Sequence, residues 1–242
     1  MDQSLFFSLP ILFAGITLVA AGAIQGATGF GFNMLAAPIL AVIDAKFVPA
    51  PMLMMAMVVS FGGMLAERRD IDMSGLRAAL IGRVLASVAA VVLLSHLDQR
   101  SFSIIFGVAV LLAVLVSLTG LRFSPTPIVL LVAGSVSGLM GTLTSIGAPP
   151  MALAFQNARG PVMRSTLNSF FVVGAAISLF ALWFAGYVHA AELFLALTML
   201  PFALLGFVFS GWGKSLVDRG HMRMVVFAIS SISAIILIAR AI

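Results

Sequence analysis

The sequence contains no cysteine and few charged residues: Lys, Arg, Asp and Glu make up 9% of its 242 residues, while 62% are hydrophobic. Without cysteine the chain has no disulfides, no thiol nucleophile and no thiolate metal ligands. A soluble domain carries about 25% charged residues, so this chain could not cover a water-facing surface. The composition predicts an all-α integral membrane protein whose surroundings are the lipid bilayer.

Chemistry-bearing motifs are also scarce. The three histidines lie at predicted helix ends without HExxH-type spacing, so we expect neither a metal site nor a cofactor. The net charge of +5 includes no basic run interleaved with aromatic residues, so no nucleic-acid partner is expected. No GxxxxGK[ST] motif is present, which argues against direct use of ATP.

Apolar segments fill the chain from end to end. A membrane-spanning helix needs about 20 apolar residues, and the charge-free run over 3–43 is too long for one span. Its glycine cluster at 26–31 is the natural break. The predicted helices are 5–26, 31–43, 48–66, 74–97, 101–121, 126–144, 148–158, 163–187, 192–212 and 222–241.

One glycine-broken segment occurs twice. Residues 21–38 read AGAIQGATGFGFNMLAAP, and residues 137–154, roughly 116 positions further on, read SGLMGTLTSIGAPPMALA. Paired broken segments in matching halves mark the binding sites of secondary transporters. We therefore predict a repeat of five helical elements over 1–122 and a second over 123–242, each with a short broken helix as its second element. Because five is odd, the second repeat is inverted.

The basic residues divide unequally between the two faces of the predicted membrane domain. If every element crosses, nine Lys and Arg residues lie on one face and three on the other. If the short segments return to the face they entered from, the division is seven to five. We prefer the first topology because of the positive-inside rule. It places both termini outside the cytoplasm and the connection around Arg122 inside.

Arg83 is the first candidate site residue, because it lies about ten residues from either end of its predicted helix. That distance is about 15 Å, too far for easy snorkelling. A charge at this depth is costly unless it faces a cavity or a partner. No acidic residue is predicted at the same depth. Arg83 therefore either provides the countercharge for an anionic substrate or is capped by backbone carbonyls at a helix break.

The two breaks supply the other candidates. Short helices that begin near Gly31 and Gly147 would point positive N-termini toward a shared centre, and such ends bind anions. Gly29, Gly31 and Gly147 would let a ligand approach the backbone. The alternative is close helix packing, which also uses small residues. The small polar candidates are Gln25, Thr28, Asn33, Thr144 and Ser145, together with Asn168, which either reaches the centre or joins two helices.

These motifs resemble the TauE/SafE sulfite-exporter family of bacterial inner-membrane proteins over essentially the whole chain. The similarity is carried by Gly26 to Pro38, by Gly141 to Pro150 and by the Val48-Pro-Ala-Pro51 entry to the next span. The second turn is poorer in glycine than the family pattern. The resemblance implies a transporter of sulfite, sulfonates and related anions, usually outward. It also implies a bacterial inner-membrane location, and with the charge count this predicts periplasmic termini.

Together these observations predict a secondary transporter, not an enzyme, that exports a small sulfur-containing anion by alternating access. Sulfite or an organosulfonate such as sulfoacetate would be the substrate. The alternatives are a transporter of small carboxylates or inorganic sulfur anions, or a membrane subunit that does not transport. The residues leave open whether a proton or a sodium ion is coupled and whether the protein forms a homo-oligomer.

Overall fold

The computed structural model describes residues 9–119, 123–217 and 221–242, and of residues 211–217 and 221–223 it describes the backbone alone. Within these ranges the protein is helical and has no strand. The helices are α1 (Leu9–Thr28), α2 (Phe32–Ile43), α3 (Ala50–Ala66), α4 (Met73–Leu94), α5 (Gln99–Leu118), α6 (Pro127–Thr144), α7 (Ala148–Phe155), α8 (Gly160–Phe184), α9 (Ala190–Val217) and α10 (His221–Ala241).

All ten predicted helices are present, and seven of them are long and apolar enough to span a membrane. Their ends follow local chemistry. Asp72 caps α4 by accepting from the N–H groups of Ser74 and Gly75 at 3.1 Å. Helix α8 begins at Gly160 rather than at 163 and so includes Pro161 in its first turn. Proline is tolerated there because the first N–H groups of a helix have no partner within the helix.

The first break lies later than predicted. Helix α1 continues through Gly26, where a Cβ would lie 2.2 Å from Ser210 Oγ, so this glycine allows close packing. The chain leaves the helix at Gly29 and Gly31, whose φ angles are +81° and +110°. Only glycine adopts such angles without strain.

The pairing of helices repeats with a shift of five elements. Helices α1 and α3 pack on α9, and five elements later α6 and α8 pack on α4. In the same way α2 packs on α10, and α7 packs on α5. Helices α3 and α8, and likewise α5 and α10, pack against their own counterparts. The division into repeats 1–122 and 123–242 would produce such a pattern and stays a prediction.

The directions of the self-paired helices bear on topology. Gly63 of α3 lies against Asn168 of α8, and Glu67, one turn later in α3, pairs with the earlier Arg164. These two helices therefore run antiparallel. If the short helices α2 and α7 returned to the face that they entered from, α3 and α8 would run parallel, because each half of the chain would then cross the membrane an even number of times.

The same direction holds for α5 and α10. Gly107 of α5 faces the carbonyl of Ala234 in α10, whereas Arg100, earlier in α5, donates to the carbonyl of Ile242. Two antiparallel pairs are what the topology in which every element crosses predicts, and the inverted repeat itself stays a prediction. Which face of the membrane each loop occupies stays a prediction.

The helix directions sort the described basic residues between two faces. The arginine-rich face carries Arg68, Arg69, Arg77, Arg159 and Arg164 at the end of α3 and the starts of α4 and α8. The opposite face carries Lys46, Arg100 and Arg240. The remaining residues of the nine-to-three count lie outside the described side chains: Arg122, Lys214, Arg219 and Arg223.

Cysteine labelling tests the orientation on this naturally cysteine-free chain. We expect Gln99→Cys, on the opposite face, to react with a membrane-impermeant maleimide in intact cells. Arg69→Cys, on the arginine-rich face, should react only after permeabilisation, because positive loops stay in the cytoplasm. A membrane-permeant maleimide serves as the control and should label both variants. The reverse pattern would overturn the periplasmic placement of the termini.

Candidate functional site

The two helix breaks meet, as the sequence predicted. Asn33, in the first turn of α2, donates from Nδ2 to the carbonyl oxygen of Ser145 at 2.7 Å. Ser145 adopts a left-handed φ of +64°, and its hydroxyl donates to the carbonyl of Pro49 at 2.9 Å. The second break is thus attached both to the first break and to the start of α3.

Thr28 and Thr144 each end the helix before a break, and their hydroxyls make the same pattern of hydrogen bonds. The Thr28 hydroxyl donates to the carbonyl of Ile24 at 2.9 Å, and that of Thr144 donates to Met140 at 2.7 Å. Each hydroxyl also accepts from the backbone N–H two residues ahead. Both threonines therefore stabilise the ends of their own helices. Their positions do not support the predicted contact with a ligand.

Gln25 bridges the first break. Its Oε1 accepts from the N–H of Phe32 at 3.2 Å, which occupies one of the free donors at the start of α2. Its Nε2 lies 2.9 Å from Asn168 Oδ1 and 3.2 Å from both Ser60 Oγ and the Gly29 carbonyl. Gln25 thereby ties α1 to α3 and α8.

Arg83 is buried at the junction of α4, α6 and α8, with only 2% of its surface exposed. Its terminal nitrogens donate to Ser137 Oγ at 3.1 Å and to Ser178 Oγ at 3.3 Å. The Phe170 ring lies 5.0 Å from the guanidinium carbon, a distance at which a cation and a ring attract. The arginine is thus held by neutral groups from two other helices.

Glycines make the space for this guanidinium. A Cβ on Gly174 would lie 2.1 Å from Arg83 Nε, and one on Gly141 or Gly147 would lie 3.2 or 3.3 Å from its terminal nitrogens. Ser137 links the arginine to the second break, because its hydroxyl donates to the Gly147 carbonyl at 2.6 Å. Arg83 Nε has no hydrogen-bond partner among the residues that the structure describes.

No acidic side chain in the part of the chain that the structure describes neutralises the positive charge of Arg83. There, Arg164 pairs with Glu67, and His189 Nδ1 lies 3.5 Å from Glu192 Oε2. A buried cation that only neutral groups surround retains its attraction for an anion.

Arg83 and both breaks border one cavity of about 30 Å³, which is room for one or two water molecules. Six of the ten predicted site residues line it: Gln25, Gly31, Asn33, Arg83, Ser145 and Gly147. The other four lie outside its lining: Thr28, Gly29, Thr144 and Asn168. The remaining walls are formed by Phe32, Leu53, Ala56, Ser60, Ala148, Phe171 and Ala175.

The two predicted helix N-termini are unequal. Helix α2 begins with residues that all carry a backbone N–H. Helix α7 begins Ala148-Pro149-Pro150, and proline has no N–H to offer. Only α2 presents a nearly complete first turn of donors, so the anion-binding capacity expected of the second N-terminus is weak.

The two halves of the chain differ in charge at corresponding helix contacts. Gly138 packs against the backbone of Arg83 in the α4–α6 pair, and Gly22 packs against Ala203 in the equivalent α9–α1 pair. Ala203 therefore occupies in α9 the place that Arg83 occupies in α4. Two similar halves enclose a site whose fixed cation comes from one of them.

Sequence reasoning missed the residues that hold Arg83. Phe170, Gly174 and Ser178 recur every four residues in α8, a spacing that places them on one helix face. Ser137 stands at the start of the second copy of the broken motif. These signals were readable, but an apolar span contains many small residues and spacing alone does not identify the partner.

The helices and the site together define a polytopic membrane protein with two broken helices around a buried cation. Residues 14–237 match the sequence profile of the family described as sulfite exporter TauE/SafE. The chain belongs to that family of membrane transporters for sulfur anions. Searches of curated proteins and of solved structures found no significant match.

Proposed function

We propose that this protein is a secondary transporter that exports a small sulfur-containing anion, sulfite or an organosulfonate such as sulfoacetate. The observation that carries the proposal is Arg83, a buried cation that lines the cavity between the two breaks and has no acidic partner among the described residues. Guanidinium groups bind sulfonate and carboxylate oxygens with charge-assisted hydrogen bonds. Family membership supports sulfur as the central atom.

In this proposal the ligand lies between Arg83 and the start of α2. Ser137 and Ser178 orient the guanidinium, while Gln25 and the two threonines fix the helix ends at the breaks. The cavity of about 30 Å³ is smaller than any sulfonate, so the walls must separate to admit one.

Alternating access would separate the repeats along the α3–α8 contact. Toward the arginine-rich face this contact is closed by the bidentate pair of Arg164 with Glu67. Toward the opposite face it is closed by an apolar cluster that includes Leu53, Ala175 and Leu182. Rocking one repeat against the other would open these two closures in turn. A proton or sodium gradient would drive the cycle.

Efflux from proteoliposomes tests the proposal. Vesicles that contain the protein are loaded with sulfite, sulfoacetate, isethionate, taurine, sulfate or a small carboxylate, and protein-free vesicles serve as the control. We expect efflux of at least one sulfur anion, and an imposed proton or sodium gradient should accelerate it. Efflux of carboxylates alone would favour the carboxylate alternative. Absence of all efflux from folded protein would favour a non-transporting subunit.

A further inference from the structure

The cavity contains an unpaired acceptor as well as a cation. In the described part of the chain, three buried side-chain polar atoms have no hydrogen-bond partner: Asn33 Oδ1, Arg83 Nε and Ser87 Oγ. Two of the three belong to residues that line this one cavity. Arg83 Nε lies against Gly174, which is not part of the cavity lining, so Asn33 Oδ1 is the unpaired atom that we assign to a ligand in the cavity. Buried polar groups are nearly always paired, which is why an unpaired acceptor beside a cavity indicates a ligand.

The orientation of the Asn33 amide is fixed. A backbone carbonyl can only accept a hydrogen bond, so the atom 2.7 Å from the Ser145 oxygen must be Nδ2. The other end of the amide is therefore Oδ1, which can only accept. A ligand beside it must bring a hydrogen-bond donor.

We infer that this site, within the proposed transport function, selects singly charged anions that carry a hydrogen-bond donor. Arg83 attracts the anionic oxygens, and Asn33 Oδ1 accepts from the donor. For a sulfur oxyanion the selected form is hydrogensulfite, with one negative charge and one proton, rather than the dianion. Sulfate is disfavoured because it has two charges and no donor at neutral pH. Sulfoacetate is disfavoured for the same reason, so the inference narrows the proposed substrates to hydrogensulfite and to singly charged sulfonates that carry a donor.

The physical reason is the balance of charge and hydrogen bonds in a buried site. Arg83 is the single charged residue in the cavity lining, so a dianion would leave one negative charge uncompensated. An anion without a donor would place its lone pairs against Asn33 Oδ1, which would stay buried and unpaired. Sites that hydrogen-bond a substrate group discriminate strongly against analogues that lack it.

Sulfamate and methanesulfonate test the inference, because they have the same size and charge and differ only in an amino group against a methyl group. We expect the detergent-solubilised protein to bind sulfamate about ten-fold more tightly at fixed pH, the order of effect of one buried hydrogen bond. Sulfate should bind more weakly than either. Equal affinity for sulfamate and methanesulfonate would overturn the selection rule.

Asn33→Leu tests the residue, since leucine has nearly the same shape without the acceptor. The sulfamate preference should fall to near unity, whereas Asn157→Leu, at an exposed asparagine, should keep it. A preference that survives in Asn33→Leu would refute the role of Asn33. If the leucine variant does not fold, the comparison in the unmodified protein still decides the selection rule.

Sulfite binding, measured in parallel, separates the two proposals. If sulfite binds but sulfamate and methanesulfonate bind with equal affinity, the result counts against donor selection and leaves the transport function standing. No binding of any sulfur anion would count against the transport function as well.

Discussion

Arg83→Ala is expected to abolish anion efflux from proteoliposomes while the protein still inserts into the membrane. The substitution removes the one charge that lines the cavity. Loss of a charge-assisted hydrogen bond to an anion at a buried site costs about 1.5–3 kcal/mol, and loss of the charge itself adds to this. We therefore expect efflux to fall at least about 100-fold. Insertion should not suffer, because removal of a deep charge eases it.

Arg83→Lys separates charge from shape. Lysine keeps a positive charge but lacks the planar fork, so it cannot reach Ser137 and Ser178 while it binds an anion in bidentate fashion. We expect partial efflux or none. Arg77→Ala is the matched control, since Arg77 lies on the same helix, is exposed and lines no part of the cavity.

Melting temperature and anion affinity, measured on the same variants, distinguish an anion-binding role of Arg83 from a purely structural role in helix packing. The serine and Phe170 contacts of Arg83 could serve packing alone. In that case Arg83→Ala would lower the melting temperature and leave affinity intact in the folded fraction. Unchanged affinity in well-folded Arg83→Ala protein would falsify the countercharge role.

Gly174→Ala is expected to disable transport from a position that carries no charge. The added Cβ would lie 2.1 Å from Arg83 Nε and 2.5 Å from its Cδ and Cζ, closer than atoms can approach. Either the guanidinium or α8 must move, and overpacking of this kind costs about 1–3 kcal/mol. Because Ser178 holds the guanidinium one turn further along α8, displacement should also misplace the charge. Efflux should fall about as far as in Arg83→Ala.

A double variant tests the cause. In the Arg83→Ala background there is no guanidinium to displace, so Gly174→Ala should lower the melting temperature much less than in the unmodified protein. Ala176→Val is the control, because it adds methyl groups to an exposed position of the same turn. Equal destabilisation in both backgrounds would show that the alanine strains helix packing instead of displacing Arg83.

Much of the fold follows from the order of residues. Gly29 and Gly31 end α1 with positive φ angles, and Pro149 and Pro150 stand in the first turn of α7, where proline is tolerated, because these backbone constraints are local. The depth of Arg83 within its helix is likewise a matter of counting residues. These local rules were sufficient for ten helices, for two breaks and for a buried cation.

Which side of each helix packs against its neighbours does not follow from the sequence. In a membrane the lipid-facing side of a helix is as apolar as the packed side, so hydrophobic periodicity says little about which residues meet. On α4, Leu85 is 73% exposed and Arg83 is 2% exposed, although both belong to one apolar span. The sequence alone offered no reason to assign Ser137 and Ser178 to Arg83.

Residue order thus determined the class of protein, the number of helices, the doubled break and the presence of a deep arginine, since each depends on local composition or counting. Tertiary structure alone decided that Thr28 and Thr144 hold their own helix ends and that Gln25 spans the first break. It also decided that Asn33, whose Oδ1 is buried and unpaired among the described residues, lines the same cavity as Arg83. Those outcomes depend on which helices pack together and in what register, and hydrogen bonds between distant segments form only after that packing is complete.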